Sequence, residues 1–199
     1  MKLNVPALRV ALICGSLLLS VSAASAQRPR LSKPRPSQQK TAEPQTQEQQ
    51  TPSLQGTYAL TDPAAATRTV QDGIEAAVKG MWPIIKGEAR DKLEEKNLPL
   101  SQQIIISYTP ADVTIKMEAG TIKTPIDGVF VRRDILGESM MVSTKWVDNK
   151  LERTFKAVDG QRVDTYSLSG DGNTLTMHVT VTSPRLSRPC EYELTYKRT

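Results

Sequence analysis

Residues 140–196 impose the strongest constraint on how this chain can fold. Five segments there alternate apolar and polar residues, parted by short turns at Asp148 and Asn149, at Asp159 and Gly160, at 169–172 and at 183–188. Such alternation sends successive side chains to opposite faces of an extended strand. Asp-Asn and Asp-Gly tolerate the positive φ that tight hairpin turns demand. A one-residue slip in any hairpin would turn its apolar set outward, so the register is specified by the pattern itself.

That register can be written down. The turn at Asp148 and Asn149 pairs Val147 with Lys150, Thr144 with Arg153 and Val142 with Phe155. A turn centred on Asp159 and Gly160 pairs Ala157 with Arg162, Phe155 with Asp164, Arg153 with Tyr166 and Leu151 with Leu168. A four-residue turn at 169–172 pairs Tyr166 with Leu175 and Asp164 with Met177. The last hairpin sets Val181 against Cys190, Val179 against Tyr192, Met177 against Leu194 and Leu175 against Tyr196.

Earlier segments extend the pattern. Residues 56–61 read as a first strand. Asp62 and Pro63 then supply an N-cap and a first-turn proline. Val70, Ile74, Ala77, Val78, Met81 and Ile85 recur at helical spacing, and Pro83 divides the run into helices over 64–81 and 83–96. The second helix displays Ile85, Ala89 and Leu93, and Trp82 reads as a core anchor beside the kink. Strands follow around Ile104 to Tyr108, Val113 to Met117, Thr121 to Pro125 and Gly128 to Arg133. The expectation is a mainly β domain with two helices: about ten antiparallel strands in an up-and-down barrel, with a helix-turn-helix after the first strand.

A strand, a helix-turn-helix and a run of antiparallel strands resembles the calycin superfamily, in particular the fatty-acid-binding-protein topology. Residues 160–169 (GQRVDTYSLS) and 171–176 (DGNTLT) are also similar to lipocalin-like exported bacterial proteins. The likeness spans roughly residues 54–199 and implies a non-enzymatic binder of a small apolar or amphipathic molecule, anionic ones included. The terminal Tyr196-Lys197-Arg198 departs from the Arg-x-Tyr pair that holds the carboxylate in fatty-acid-binding proteins, so no ligand residue transfers from the family.

The inward face is otherwise apolar: Met140, Val142, Trp146, Leu151, Phe155, Leu168, Leu175, Met177, Val179, Val181 and Leu194. Arg153 interrupts it, with Thr144 opposite on one side and Tyr166 on the other, and Asp164 diagonal to it. Tyr192 and Tyr196 add hydroxyls to the same interior. These six residues are the candidate ligand site. Two arrangements stay open. Arg153 and Asp164 form an internal ion pair in a filled barrel, the preferred form for buried charges, or Asp164 poises the guanidinium for a ligand carboxylate. Arg162 sits at the rim and reaches solvent. A filled barrel would make the chain a structural or interaction module, with an apolar patch near Phe130 or Ile135 and Leu136.

Other chemistry finds little support. His178, the one histidine, falls on the outer face, away from Cys190, so neither a His-based catalytic set nor a zinc site is expected. No phosphate-binding glycine loop joins a strand to a helix. No cofactor is expected.

The first 26 residues read as an export signal: Lys2 and Arg9, an apolar stretch over 10–21, and the small residues Ala24, Ser25 and Ala26. Its removal would leave Cys190 as the single thiol. Residues 27–53 carry seven Gln, five Pro and no aromatic residue, and read as a disordered basic tail that could touch an anionic envelope surface weakly. Of 26 basic and 21 acidic residues, the export segment holds two basic and the tail five basic and two acidic, so residues 54–199 hold 19 of each. A domain without net charge argues against a nucleic-acid partner. No transmembrane span is expected.

Overall fold

The computed structural model describes residues 53–135 and 137–199. The expected export segment, Cys14, all of the tail but Ser53, and Leu136 lie outside the described residues. Strand β1 (Gly56–Leu60) leads into α1 (Pro63–Val78) and α2 (Pro83–Asn97). Nine further strands follow: β2 (Gln103–Tyr108), β3 (Asp112–Met117), β4 (Gly120–Pro125), β5 (Val131–Ile135), β6 (Glu138–Val147), β7 (Lys150–Ala157), β8 (Gly160–Leu168), β9 (Thr174–Thr182) and β10 (Cys190–Arg198). Their order in one antiparallel sheet is β4-β3-β2-β1-β10-β9-β8-β7-β6-β5.

The sheet curls until its two edges meet. Side chains and a corner, rather than a full ladder, bridge them. Arg133 on β5 donates from Nε and Nη2 to the Lys123 carbonyl of β4, at 3.2 and 3.0 Å. Thr124 and Thr144 share a hydroxyl hydrogen bond of 2.8 Å. Gly128, at φ 82°, turns the chain so that its N–H reaches the Thr144 carbonyl at 2.9 Å. The result is a nearly closed ten-strand barrel, as the alternation implied.

The helices begin where the local chemistry says they should. Asp62 Oδ1 accepts from the Ala65 N–H at 2.9 Å, and Pro63 opens α1. Val70, Ile74, Ala77 and Val78 are buried, and α1 packs on β10. The approach is close at Gly73, where an added Cβ would lie 2.5 Å from the Glu191 carbonyl oxygen. Gly73→Ala should therefore destabilise the fold. Alanine gains about 1 kcal/mol of helix propensity, but overpacking against rigid backbone costs about 1–3 kcal/mol. A urea midpoint at or above wild type would show that α1 can slide on the sheet.

Two hairpins depart from the expected register, each by two residues. β7 and β8 pair Ala157 with Gly160, Arg153 with Asp164 and Leu151 with Tyr166. The turn is Val158 and Asp159, not Asp159 and Gly160. Gly160 serves another purpose: a Cβ there would sit 2.8 Å from the Thr182 carbonyl oxygen, so the glycine permits a backbone approach. β8 and β9 pair Leu168 with Leu175, Tyr166 with Met177 and Asp164 with Val179. Here a wider loop closes around the Ser169 N–H, which reaches the Thr174 carbonyl at 2.9 Å, and the Asp171 carboxylate, which accepts from the Asn173 N–H at 3.1 Å. The other two hairpins match the expected pairs, and Asp148 and Asn149 take φ of 48° and 62°.

Candidate functional site

A shift of two residues keeps each side chain on its face, so the six candidate residues stay inside. Arg153, Asp164, Tyr166, Thr144, Tyr192 and Tyr196 are all buried. What changes is who meets whom. Arg153 stands directly opposite Asp164, not diagonal to it, and Tyr166 faces Leu151. Even so, Asp164 does not take Arg153 as its ion-pair partner. Its Oδ1 accepts from Arg162 Nε at 2.6 Å, along the same strand face. The expected internal Arg153–Asp164 pair is thus replaced by Arg162–Asp164.

Arg162 is not simply a rim residue in solvent; its side chain is only 28% exposed. Its Nη1 donates to Asn97 Oδ1 at 3.0 Å, and the same oxygen accepts from the Tyr192 hydroxyl at 2.7 Å. Asn97 closes α2, with its amide nitrogen donating to the Leu93 carbonyl at 2.7 Å. The helical cap is therefore wired into the barrel through one asparagine. Burial opposes the Arg162 charge, but Asp164 and the phenol of Tyr192 carry its pKa above the ordinary arginine value.

Arg153 fares differently. It is 1% exposed, yet its partners are neutral and distant: Nε donates to Thr144 Oγ1 at 3.2 Å and Nη2 to the Ile122 carbonyl at 3.4 Å. A guanidinium carries five N–H donors, so most have no acceptor among the described residues. Burial holds Arg153 below the ordinary arginine value, with Tyr166 and Asp164 offsetting part of the effect. Beside this, the buried hydroxyl of Tyr166 has no hydrogen-bond partner among the described residues. The interior holds two guanidinium groups and one carboxylate, an excess of one positive charge next to an orphaned hydroxyl.

Tyr192 and Tyr196 spend their hydroxyls elsewhere, on Asn97 and on the Ser101 carbonyl at 3.3 Å. Burial raises the pKa of Tyr192 to about 12, and raises Tyr166 and Tyr196 further. These phenols stay protonated in the fold after their unfolded counterparts begin to ionise near pH 10. Stability present below about pH 10 should then be lost as pH rises toward 12, by about 3 kcal/mol from Tyr192 alone. Phenolate absorbance near 295 nm should rise cooperatively with loss of β-sheet circular dichroism. A gradual rise centred near 10, with the sheet intact, would contradict it.

Three sequence expectations fail in detail. Trp146, expected inside, is 40% exposed at the end of β6, edge-on to Tyr108 with ring centroids 5.5 Å apart. Trp82, expected as a core anchor, stands in solvent. Met140 and Phe155 are only partly buried. Phe130 is partly covered, with Lys156 Nζ 4.3 Å from its ring centroid. His178 is exposed on the outer face, as expected. Of the residues the sequence reading missed, Arg162 shares parity with Asp164 and could have been assigned inward. Asn97 carries no such signal, because its role comes from where a helix end lands.

Two surface concavities are evident among the described residues. One, of about 300 Å³, lies against Gly160, Gln161 and the 182–184 segment. The other, of about 320 Å³, lies between Gln55, Tyr108, Pro110, Ile126 and Trp146, at the barrel end away from the helices. Neither includes Arg153 or Tyr166.

No protein-family model matches the chain, and no curated protein matches it. Solved structures do. A secretary abundant heat soluble (SAHS) protein from Ramazzottius varieornatus is 11% identical, with a TM-score of 0.52 over 74% of this chain and 96% of that one. Human cRBP IV is 16% identical, with a TM-score of 0.44 over 74% and 98%. The REP1-NXSQ fatty acid transporter is 14% identical, with a TM-score of 0.47 over 73% and 96%. At these identities the likeness is one of fold. The chain shares that fold with the SAHS protein: among the described residues, ten antiparallel strands with two helices inserted after the first.

Proposed function

We propose that this chain is an exported, non-enzymatic binding protein for a small amphipathic anion. The carrying observation is Arg153: a guanidinium 1% exposed, held only by two neutral oxygens, beside a Tyr166 hydroxyl with no partner among the described residues. A buried cation whose facing carboxylate is already taken by another arginine is costly, and a ligand carboxylate can take two of its free donors at once. Tyr166, kept protonated by burial, supplies a neutral donor to the same anion. The export signal expected in the first 26 residues and the fold's single buried core are consistent with a carrier or scavenger outside the cytoplasm.

A second reading has its own support. Both surface concavities lie away from Arg153, and apolar side chains such as Ile104, Ile106, Ile115 and Leu175 pack the interior to near-zero exposure. In this reading the barrel is a filled structural or interaction module. Native mass spectrometry of the protein from its own host separates the two. A retained small molecule, absent from Arg153→Met, supports the binder. A bare polypeptide mass for the wild type, with no uptake of added decanoate, supports the module.

A further inference from the structure

The chain enters the barrel beside an uncovered aromatic wall. Tyr108, at the end of β2, stands edge-on to Trp146, near the end of β6, with ring centroids 5.5 Å apart. With Gln55, Thr109, Pro110 and Ile126 they line the concavity of about 320 Å³ at the barrel end away from the helices. Trp146 is 40% exposed and Ile126 only partly buried. Aromatic-lined grooves of this kind accept extended, proline-containing segments, because such a segment is already ordered and its proline ring packs flat on an aromatic face.

The chain is delivered to this wall in a fixed direction. Arg198, at the end of β10, donates from Nη2 to the Ser53 carbonyl and from Nη1 to the Gln55 carbonyl, each at 2.7 Å. Its Nε donates to the Gly172 carbonyl at 2.8 Å, so the guanidinium is itself held by the β8–β9 loop. Ser53 Oγ in turn shares a hydrogen bond of 2.9 Å with the Tyr108 hydroxyl. Ser53 therefore lies against Tyr108, and Pro52 is the residue before it. Proline holds φ near about −65° and drives the preceding residue, here Thr51, toward extended backbone. Extended chain of this kind advances about 3.1 Å per residue, so about two residues cover the 5.5 Å between the two rings.

From this geometry we infer that the Tyr108–Trp146 concavity is a docking site for this chain's own residues 47–52 (QEQQTP). Pro52 packs on the Tyr108 ring, and Thr51 and Gln50 continue in extended form across Trp146. The Thr109 hydroxyl accepts from the Ala111 and Asp112 N–H groups at 3.3 and 3.1 Å, which leaves its own proton to donate to a carbonyl of the docked segment. The segment carries no large apolar side chain, so as a free peptide it would bind weakly. Its tether is what favours it: joined to Ser53, it meets the concavity at an effective concentration of about millimolar or above, which a free partner of the same composition does not reach. Neither Arg153 nor Tyr166 lines this concavity, so the docking does not depend on what the barrel interior holds.

The chain has two tryptophans, so Trp82→Phe leaves Trp146 as the sole fluorescent reporter. In this variant, purified from its own host, acrylamide quenching of Trp146 is measured with and without a further Thr51→Gly and Pro52→Gly change. The two glycines free the backbone that proline had restricted and remove the ring. If the segment is docked at least half the time, the quenching constant should at least about double on that change, and Trp146 emission should shift to the red. Pro44→Gly, the same chemistry outside the segment, should change neither. Circular dichroism checks that the sheet is intact in each variant. Equal quenching with and without the glycines would overturn the proposal. So would shielding of Trp146 that weakens on dilution of the protein, since a second copy would then cover the concavity. Exposure of Trp146 by Pro44→Gly to the same degree would overturn it as well, because the covering segment would then lie elsewhere in the tail.

Discussion

Arg153→Met should stabilise the barrel by roughly 1–4 kcal/mol and at the same time abolish retention of an anionic ligand. Methionine has similar reach and no charge to desolvate. The contacts it removes are long ones, 3.2 Å to Thr144 and 3.4 Å to the Ile122 carbonyl. Thr144 keeps its hydrogen bond to Thr124, so the hydroxyl is not orphaned. Urea unfolding should show a higher midpoint with an unchanged slope, and native mass spectrometry a bare polypeptide. Gain of stability with loss of binding is the mark of a residue kept for a ligand. A drop of more than about 2 kcal/mol would show instead that Arg153 is there to hold the seam beside β4.

Asp164→Asn should act in the opposite direction, with a loss of about 3–5 kcal/mol. The substitution preserves shape and one acceptor oxygen, so it tests charge alone. Without the carboxylate, Arg162 loses its ion pair and Arg153 its facing counter-charge, leaving one buried and one partly exposed guanidinium uncompensated. For a domain of this size each kcal/mol moves Tm by about 2–4 °C, so the melting point should fall by roughly 6–20 °C. Adding Arg153→Met should recover more stability in the Asp164→Asn background than in wild type, because it removes the worse placed of two like charges. A loss under about 1 kcal/mol would mean that the interior is hydrated well enough to screen these charges.

Much of the architecture was legible because it rests on local chemistry. Asp62 and Pro63 start α1 where a cap and a first-turn proline belong, and Pro83 separates the helices. Asp148 with Asn149 set a hairpin whose every expected pair is observed. The two misjudged hairpins share one cause. Gly160 and the 169–172 segment read as tight turns, but Gly160 is needed for contact with Thr182, and the loop is widened by hydrogen bonds among Ser169, Asp171, Asn173 and Thr174. Trp82 misled for another reason: a large aromatic residue next to a kink usually packs inward, and nothing local reveals that the rest of the fold leaves this corner uncovered.

By itself, the amino-acid order determined which side chains face the interior. Strand side chains alternate with a period of two, and an error of two residues leaves that parity untouched. It brought Arg153, Asp164, Tyr166 and Thr144 inside without any knowledge of partners. Only the tertiary structure decided who pairs with whom, because sliding a strand by two residues moves each group about 7 Å along its neighbour. That distance separates an Arg153–Asp164 pair from the observed Arg162–Asp164 pair with its link to Asn97. It leaves Arg153 as the buried cation whose only hydrogen-bond acceptors among the described residues are neutral.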